Sequence, residues 1–440
     1  MNVSLHQVLR TVVLSDSDPA RQVLFANLMK SRLSVRLVYR LHERLGGTWA
    51  SALLVSSYGV APFLGIVPSR DRRARVLVVA THANARRQVA RVISWIGPDE
   101  CGWVRTGLGA LCFPSSVAGL VALLSSRRLA AAIRIVRTLD RRHGFLVSCR
   151  AAAAIAWYAR GKAILGRHRP GAVLVSGDSH PEEVGFAAAA RVLNIPQVFV
   201  SHAYPTPFSP PLRFSLSILE GEAAVHARSR KGPIEGAILL AGVEGDSAPL
   251  EPHRFQRTDP VIGVFLPKAV SWPTLAAIID DCRHHFRARK IVIRWHPSMF
   301  EVPQLARVVE DLSGIVETPK SALLPDVAQQ CDWVVADENS NVHLPVLKLG
   351  IPTVAVRNLG LYPEDRSDLY GFAASGVLFP PVRSIRDVRP EALIAFFSES
   401  WVSRFKEYDA SYLRPPRAIG REVREAIWQL FEGAKPEPQR

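Results

Sequence analysis

The sequence has few of the residues that mark disulfide frameworks and cysteine metal sites. Only five of its 440 residues are cysteine, and none of these belongs to a CxxC pair. An odd number of widely spaced cysteines is typical of reduced core residues. Their positions are Cys101, Cys112, Cys149, Cys282 and Cys331. We therefore predict neither a disulfide-stabilised domain nor a cysteine-bound metal ion.

Other ligand patterns for a metal ion are missing as well. No strand end carries a DxD arrangement, and Asp280-Asp281 falls within a helical pattern. His284 and His285 are adjacent, so on a helix their side chains diverge by about 100° and cannot chelate as an i, i+4 pair would. We expect neither a metal ion nor another cofactor.

No stretch has the pattern of a signal peptide or of a membrane span. The first twenty residues lack an apolar core followed by a small-residue cleavage site. The charge-free segment Ala50–Val67 contains Gly59, Pro62 and Gly65, and it is shorter than the roughly 20 residues that a spanning helix needs. We expect a kinked core segment there and a cytoplasmic protein.

Positive charge is abundant. Lys and Arg number 55 against 39 acidic residues, a net charge of +16. This balance favours anionic partners such as nucleotides, acidic glycans or a membrane surface. The cations are scattered, without basic runs interleaved with aromatics or zinc-finger spacing, so we do not expect nucleic acid as a partner.

The segment Lys30–Leu45 carries five basic residues against the single acid Glu43, and Leu33, Leu37, Val38 and Leu41 lie at helical spacing between those charges. Such a cationic amphipathic helix suits contact with the inner face of the cell membrane. It equally suits a solvated helix packed on its own domain. Both interpretations stay open from the sequence.

Apolar strands alternate with helices twice along the chain, before and after a polar segment rich in Pro and acid. A chain of this length exceeds one core of ordinary size. The predicted fold class is α/β, with two doubly wound Rossmann-like domains facing a cleft, the GT-B architecture. The predicted divisions are a helical N-terminal extension (1–70), an N-terminal Rossmann-like domain (71–242), a linker (243–260), a C-terminal Rossmann-like domain (261–385) and a C-terminal helical segment with a tail (386–440).

The stretch Lys290–Pro297, KIVIRWHP, joins a buried strand to a loop with charged and titratable side chains. Its β-branched run predicts a parallel strand, which Pro297 ends because proline has no N–H to donate. Ligands of open α/β sheets bind at the carboxyl ends of strands. Arg294 and His296 are therefore candidate ligand-binding residues, although a strand-end histidine also commonly bonds a carbonyl group.

A second polar loop follows the apolar run that ends at Ala336. Asp337, Glu338, Asn339 and Ser340 lie between this strand and a predicted helix that reaches Leu349. Their short side chains can cap the helix. Alternatively, the N–H groups of the helix start and the Ser340 hydroxyl bind a phosphate group, with Asp337 and Glu338 bonding a ribose or the helix N–H groups.

The first half offers candidates for a general base at two strand ends. Asp178 and His180 share a loop before the helix that starts at Pro181, and His202 follows the next strand. An acid beside a histidine favours Asp178 with His180. His82, Glu182 and Glu183 are further candidates, although acids in a first helical turn also stabilise the helix dipole.

These residues carry a resemblance to a known group of enzymes. Arg294-Trp295-His296-Pro297, followed about forty residues later by ADENSNVHLPVLKLGIPTVAV, resembles the His-Pro motif and downstream Ser/Thr loop of bacterial GT-B transferases. These include polysialyltransferases, capsule Kdo transferases and CDP-glycerol glycerophosphotransferases. VLVSGDSHPEEVGFAAAARVLNIPQVFVSHAYP is similar to their strand–helix–strand that ends in a His-Gly pair, here His202-Ala203. The resemblance spans roughly residues 170–360.

The resemblance implies a metal-independent glycosyltransferase of surface-polysaccharide biosynthesis. The donor would be a nucleotide sugar, possibly CMP- or CDP-linked, bound by the C-terminal domain, with His296 contacting its phosphate and Ser340 assisting. The acceptor would be a glycan or a lipid-linked glycan on the N-terminal domain. Asn339 and Asn341 flank Ser340, and no acidic-acidic-Gly motif of the sialyltransferase kind is present. A sugar-nucleotide 2-epimerase and a non-catalytic assembly factor of the same fold stay as alternatives.

Overall fold

A computed structural model gives the architecture of the chain. It describes residues 9, 11–12, 33–60, 64–67, 74–81, 83–106, 126–202, 204–206, 209–242, 250, 258–297, 313–361 and 368–433. His82, Ala203, most of the predicted linker and the helix predicted after Pro303 lie outside these residues. Within the described part, no helix has the length and apolarity to cross a bilayer.

The chain forms two compact units. Unit 1 comprises Met1–Gly245 and Arg414–Arg440, and unit 2 comprises Asp246–Leu413. Each unit is built on its own sheet of mostly parallel strands. The predicted fold class, α/β with two doubly wound Rossmann-like domains, is confirmed, whereas the cleft stays a prediction.

Unit 1 has a seven-stranded sheet in the order β1-β3-β2-β4-β5-β6-β7. The strands are β1 (Leu64–Val67), β2 (Val76–Val79), β3 (Cys101–Thr106), β4 (Ala172–Val175), β5 (Gln197–Val200), β6 (Arg213–Leu219) and β7 (Glu235–Leu240). Only β1 runs antiparallel, on β3. All side chains of β2, β4 and β5 are buried, as expected of strands covered on both faces.

Helices pack on this sheet and on one another. They are α1 (Leu33–Leu45), α2 (Gly47–Val60), α3 (Ala83–Ile96), α4 (Ser126–His143), α5 (Phe145–His168), α6 (Pro181–Val192) and α7 (Glu222–Ser229). Helices α5 and α6 pack closely because small residues face each other. A Cβ atom on Gly185 would lie 2.6 Å from the carbonyl oxygen of Ala154, so glycine is required at this approach.

Unit 2 has a five-stranded parallel sheet in the order β10-β9-β8-β11-β12. The strands are β8 (Val261–Phe265), β9 (Lys290–Arg294), β10 (Ile315–Thr318), β11 (Trp333–Asp337) and β12 (Thr353–Val356). In chain order this is 3-2-1-4-5, the start of the Rossmann arrangement. The described helices of unit 2 are α8 (Trp272–His284), α9 (Leu324–Ala328), α10 (His343–Lys348), α11 (Pro390–Phe396) and α12 (Glu399–Tyr408).

The last helix, α13 (Pro416–Gly433), returns to unit 1. Ile419, Val423 and Ile427 recur every four residues and are fully buried in the core beneath α3. This spacing places them on one helix face. The segment predicted as one helical region from residue 386 is therefore divided between the two units.

Three local predictions differ from the structure. Strands β1 and β3 were not expected, since Gly65 and Gly102 interrupt their apolar patterns. The helix predicted over Ser321–Gln330 is only the five-residue α9. The helix predicted to open at the Asp337–Ser340 loop begins at His343, because two turns precede it.

Candidate functional site

The strand order of unit 2 marks one position at its sheet edge. Strand β8 lies between β9 and β11. The chain proceeds from β8 to β9 and β10 on one side, and then crosses to β11 and β12 on the other side. Open α/β sheets bind ligands at such a switch point, beyond the carboxyl ends of the strands. Lys268 follows β8 after Leu266 and Pro267, and Asp337 ends β11.

Arg294 ends the neighbouring strand β9 and is largely enclosed. Its side chain is 9% exposed, and its guanidinium carbon lies 5.7 Å from the centre of the Phe265 ring. Trp295 points to the opposite side of the pleat, where its Nε1 donates a hydrogen bond of 2.9 Å to Glu317. That bond anchors the loop and leaves His296 on the same side as Arg294. Pro297 follows at an exposed position.

The two cations at this edge have no counter-ion in the part of the chain that the structure describes. Arg294 and Lys268 form no ion pair there, and Arg294 Nε has no hydrogen-bond partner. Enclosing an unpaired charge is costly. A bound anion would remove this cost, so the arrangement is suited to binding one.

His296 completes what we call the basic cluster, formed by Lys268, Arg294 and His296. Burial, with the nearby charges of Lys268 and Arg294, lowers the pKa of His296 to about 4. Burial also lowers the pKa of Lys268. The imidazole is therefore neutral at pH 7, where it can donate one hydrogen bond without adding a third charge.

Asp337 is directed into the fold. Its carboxylate accepts hydrogen bonds from the N–H groups of Asn339 at 3.0 Å and Gly360 at 2.6 Å. It is 1% exposed, and burial raises its pKa to about 6. Its carbonyl oxygen accepts a hydrogen bond of 2.9 Å from His343 Nε2. Asp337 thus connects β11 to the loop after β12.

The other loop residues are similarly engaged. Asn339 Oδ1 accepts a hydrogen bond of 2.8 Å from the Leu369 N–H, and Ser340 Oγ accepts one of 3.4 Å from the Val342 N–H. Glu338 is buried, 3.9 Å from Arg357 Nε. The six-residue helix that starts at His343 does not have Ser340 in its first turn. These contacts hold the loop to its own backbone and to neighbouring segments, and among the described residues the helix start has no side-chain cap hydrogen bond. The phosphate-binding role stays a prediction.

Unit 1 also has a switch point, because β2 lies between β3 and β4. The buried Glu183 carboxylate bridges the two strand ends there. Oε1 accepts hydrogen bonds from the Thr81 N–H at 3.0 Å and hydroxyl at 2.9 Å. Oε2 accepts from the N–H groups of Ser176, at 3.0 Å, and Gly177. A Cβ on Gly177 would lie 2.6 Å from Oε2, so glycine permits the approach.

Asp178 is paired with a cation that the sequence analysis did not single out. Arg228, 2% exposed, donates a hydrogen bond from Nη1 to Asp178 Oδ2. Burial alone would raise the pKa of Asp178, but the Arg228 charge and hydrogen bond outweigh it and hold the pKa below its ordinary value. A carboxylate stabilised in this way is a poor proton acceptor at neutral pH.

His202 has the geometry of a general base. Its Nδ1 lies 2.6 Å from the Ser176 carbonyl oxygen, which can only accept, so Nδ1 carries the hydrogen. Burial lowers the pKa of His202, although the Ser176 carbonyl and Asp178 oppose that shift. A neutral imidazole with a fixed Nδ1–H presents Nε2 as a proton acceptor.

The structure brings some of the predicted residues together and leaves others apart. Asp178, His180 and His202 share the strand ends of unit 1, since both histidines lower the pKa of Asp178. Arg294 and His296 share those of unit 2. Sequence reasoning missed Lys268 and Arg228. The Pro267-Lys268 pair directly after an apolar run was a usable signal, whereas Arg228 lies within an ordinary amphipathic helix.

Within the described ranges, no three His, Cys, Asp or Glu side chains are grouped to hold a metal ion. The expected independence from metal ions stays a prediction.

No protein-family model and no curated protein matches the chain. Among solved structures, MnaA from S. aureus in complex with UDP is 12% identical, with 83% of this chain and 99% of that chain covered and a TM-score of 0.46. UDP-GlcNAc 2-epimerase from Neisseria meningitidis bound to UDP-GlcNAc is 12% identical, with coverages of 81% and 99% and a TM-score of 0.46. The calicheamicin glycosyltransferase CalG4 is 11% identical, with coverages of 83% and 100% and a TM-score of 0.48. The strand order of the two sheets by itself shows the fold.

Proposed function

We propose that this chain is a metal-independent glycosyltransferase that moves a sugar from a nucleotide-activated donor to a surface-polysaccharide or lipid-linked glycan. One observation carries the proposal: Arg294 is enclosed at the carboxyl edge of β9 without an ion-pair partner among the described residues, and Lys268 stands at the adjacent switch point. A nucleotide phosphate is the anion for which a Rossmann-like sheet edge is suited.

The basic cluster supplies what departure of the nucleotide requires. When the bond between the anomeric carbon and the phosphate oxygen breaks, that oxygen gains negative charge. The two fixed cations stabilise this charge, and neutral His296 donates a hydrogen bond to it. The sequence resemblance favours a CMP- or CDP-linked donor.

The acceptor hydroxyl needs a base, and His202 is the residue in unit 1 best arranged to act as one. As the new bond forms between acceptor oxygen and anomeric carbon, the hydroxyl proton passes to Nε2 of His202. The Ser176 carbonyl, which accepts the Nδ1–H at 2.6 Å, stabilises the resulting imidazolium. Asp178, held ionised by Arg228, adds a favourable negative charge.

Isothermal titration of purified protein with CMP, CDP, UDP and GDP tests the donor site. We expect one nucleotide to bind, and Arg294→Gln or Lys268→Met to weaken its binding. Losing a hydrogen bond to a charged group costs about 1.5–3 kcal/mol, or roughly 10- to 150-fold in Kd. Arg383→Gln is the matched control, since Arg383 is an exposed cation of the same unit. Binding that is unchanged in both cluster variants would refute the donor site.

Product analysis then separates transfer from its alternatives. A transferase releases nucleotide at a rate that depends on an added glycan acceptor. A 2-epimerase converts the free nucleotide sugar without acceptor, and a non-catalytic assembly factor binds the nucleotide but turns nothing over. Acceptor-independent conversion would replace the transferase proposal with the epimerase.

A further inference from the structure

Among the described side chains of α1, residues 36–45, one face packs on the rest of unit 1. The Tyr39 ring packs edge-on against Phe145 at 5.2 Å, and the His42 ring packs against the same residue at 4.7 Å. His42 Nε2 also lies 3.3 Å from Asp140 Oδ2. Tyr39 and His42 lie three residues apart on one side of the helix. The opposite side is consequently turned outward.

That outward side is apolar. Leu37, Leu41 and Leu45 recur every four residues and are 55%, 45% and 44% exposed, with Val38 beside them at 46%. Trp49, beyond the corner formed by two glycines with positive φ, is 77% exposed. These five side chains are nearly half of the exposed large hydrophobics among the described residues. Scattered exposed leucines are ordinary, but four exposed apolar side chains on one face of a helix mark an interaction surface.

Cations border this apolar stripe. Arg36, Arg40 and Arg44 are exposed and also recur every four residues, next to the leucines around the helix. The adjacent end of α4, which carries Asp140, adds the exposed Arg141 and Arg142. Glu43 is the only acid in α1. We call the leucine stripe, Trp49 and the three arginines of α1 the interfacial patch.

We propose that the interfacial patch binds the surface of an anionic lipid bilayer, with α1 lying in the plane of the membrane. A helix with an apolar face bordered by arginines has the chemistry of an interfacial helix. Tryptophan favours the headgroup level, and arginines are attracted to anionic lipids. A protein partner would need acidic groups matched to three evenly spaced guanidinium groups, whereas an anionic bilayer supplies them everywhere. This inference does not depend on the proposed transferase activity, although it would bring a lipid-linked acceptor to the same surface.

Co-sedimentation of the full chain with vesicles tests the patch. We compare phosphatidylcholine vesicles with and without phosphatidylglycerol. The wild type is expected to bind the anionic vesicles, and to bind them less at high salt. Leu41→Ser/Trp49→Ser removes apolar contact, and Arg40→Gln/Arg44→Gln removes charge. We expect each double variant to lose at least about tenfold in partitioning.

Matched controls place the same changes elsewhere. Leu323→Ser/Leu413→Ser alters two leucines of unit 2 that are 66% and 51% exposed, and Arg421→Gln/Arg424→Gln alters two exposed arginines of α13. Both should bind vesicles like the wild type. Nucleotide titration of the patch variants should be unchanged, which separates this proposal from the donor site.

Two results would overturn the proposal. One is the absence of binding to anionic vesicles, or binding that the patch variants leave intact. The other is a dimer, detected by light scattering, that dissociates in Leu41→Ser/Trp49→Ser while no vesicle binding is seen. That result would assign the patch to a second copy of the chain.

Discussion

The Nδ1 atom of His202 lies 2.6 Å from the carbonyl oxygen of Ser176. This contact joins the ends of β5 and β4, and it fixes which ring nitrogen carries hydrogen. A loop histidine is thereby held in the one tautomer that leaves Nε2 as a base.

Replacing His202 with Ala should lower kcat by about 10²- to 10⁴-fold, the usual contribution of a positioned base. Substrate binding should change little, because the nucleotide is held by the other unit. Steady-state kinetics with donor and acceptor measure both quantities. His226→Ala, an exposed histidine of α7, is the control. A full loss of rate in His180→Ala, with His202→Ala active, would assign the base to His180.

The Asp178–Arg228 pair should be required for stability of unit 1. Arg228→Met leaves the largely enclosed Asp178 carboxylate, 12% exposed, without its counter-ion, which costs up to about 3–5 kcal/mol. Asp178→Asn/Arg228→Met removes both charges and should recover part of this loss. Urea denaturation followed by circular dichroism measures the free energies of unfolding. If the double variant is no more stable than Arg228→Met alone, the unpaired Asp178 carboxylate is not the cause of the lost stability.

The Asp178–Arg228 pair should contribute to the free energy of unfolding in a way that is lost in acid. Since the folded state holds the pKa of Asp178 below its ordinary value of 3.8, its stabilisation is complete above that pH. It is lost as the pH falls through the folded pKa. Asp178→Asn should therefore show a shallower fall in unfolding free energy below pH 4 than the wild type. If the wild type and Asp178→Asn lose the same free energy of unfolding below pH 4, the assignment is wrong.

Glu183 predicts the opposite dependence on pH. Burial raises its pKa from 4.5 to about 7, so the folded state binds this proton more tightly than the unfolded state. Its contribution to stability falls as the pH rises from about 4.5 to 7 and is constant above. Glu183→Gln should abolish this slope.

Glu183→Gln should also be less stable at every pH, because its amide NH₂ group would face backbone N–H donors. Each group left without a hydrogen bond costs about 1–3 kcal/mol. Denaturation between pH 5 and 8 tests both effects, with the half-buried Glu182→Gln as control.

Donor binding should be linked to proton uptake by His296. Its pKa of about 4 reflects burial and two neighbouring cations; a bound phosphate would raise it by compensating those charges. The affinity for a nucleotide sugar, whose phosphate groups are esterified, should then increase as the pH falls from 7 towards 5. Calorimetry in buffers of different ionisation enthalpy measures the protons bound. His296→Asn should bind with no proton uptake, and equal uptake in that variant would exclude His296 as the source.

Several features followed from local sequence alone. The buried runs of β4, β8 and β9 are short apolar segments followed within a few residues by Gly177, Pro267 and Pro297, and such runs are typical of buried parallel strands. Helix α6 was recognisable from Pro181 at its start. Because alternate residues of an extended chain point to the same side, the pairing of Arg294 with His296 was also predictable.

Other features depended on contacts between distant parts of the chain. Lys268 and Arg294 are 26 positions apart in the sequence, and only the pairing of β8 with β9 makes them neighbours. Glu183 looked like a helix-dipole residue, but its partner Thr81 lies 102 positions away. Asp178 was predicted as a base, but Arg228 from α7 pairs with it in the fold.

The sequence by itself determined the two Rossmann-like units, because strand and helix periodicities are local properties of the chain. Tertiary structure decided the roles of the polar side chains, because a carboxylate or an imidazole acquires its charge state from burial and from neighbours that the sequence does not place beside it.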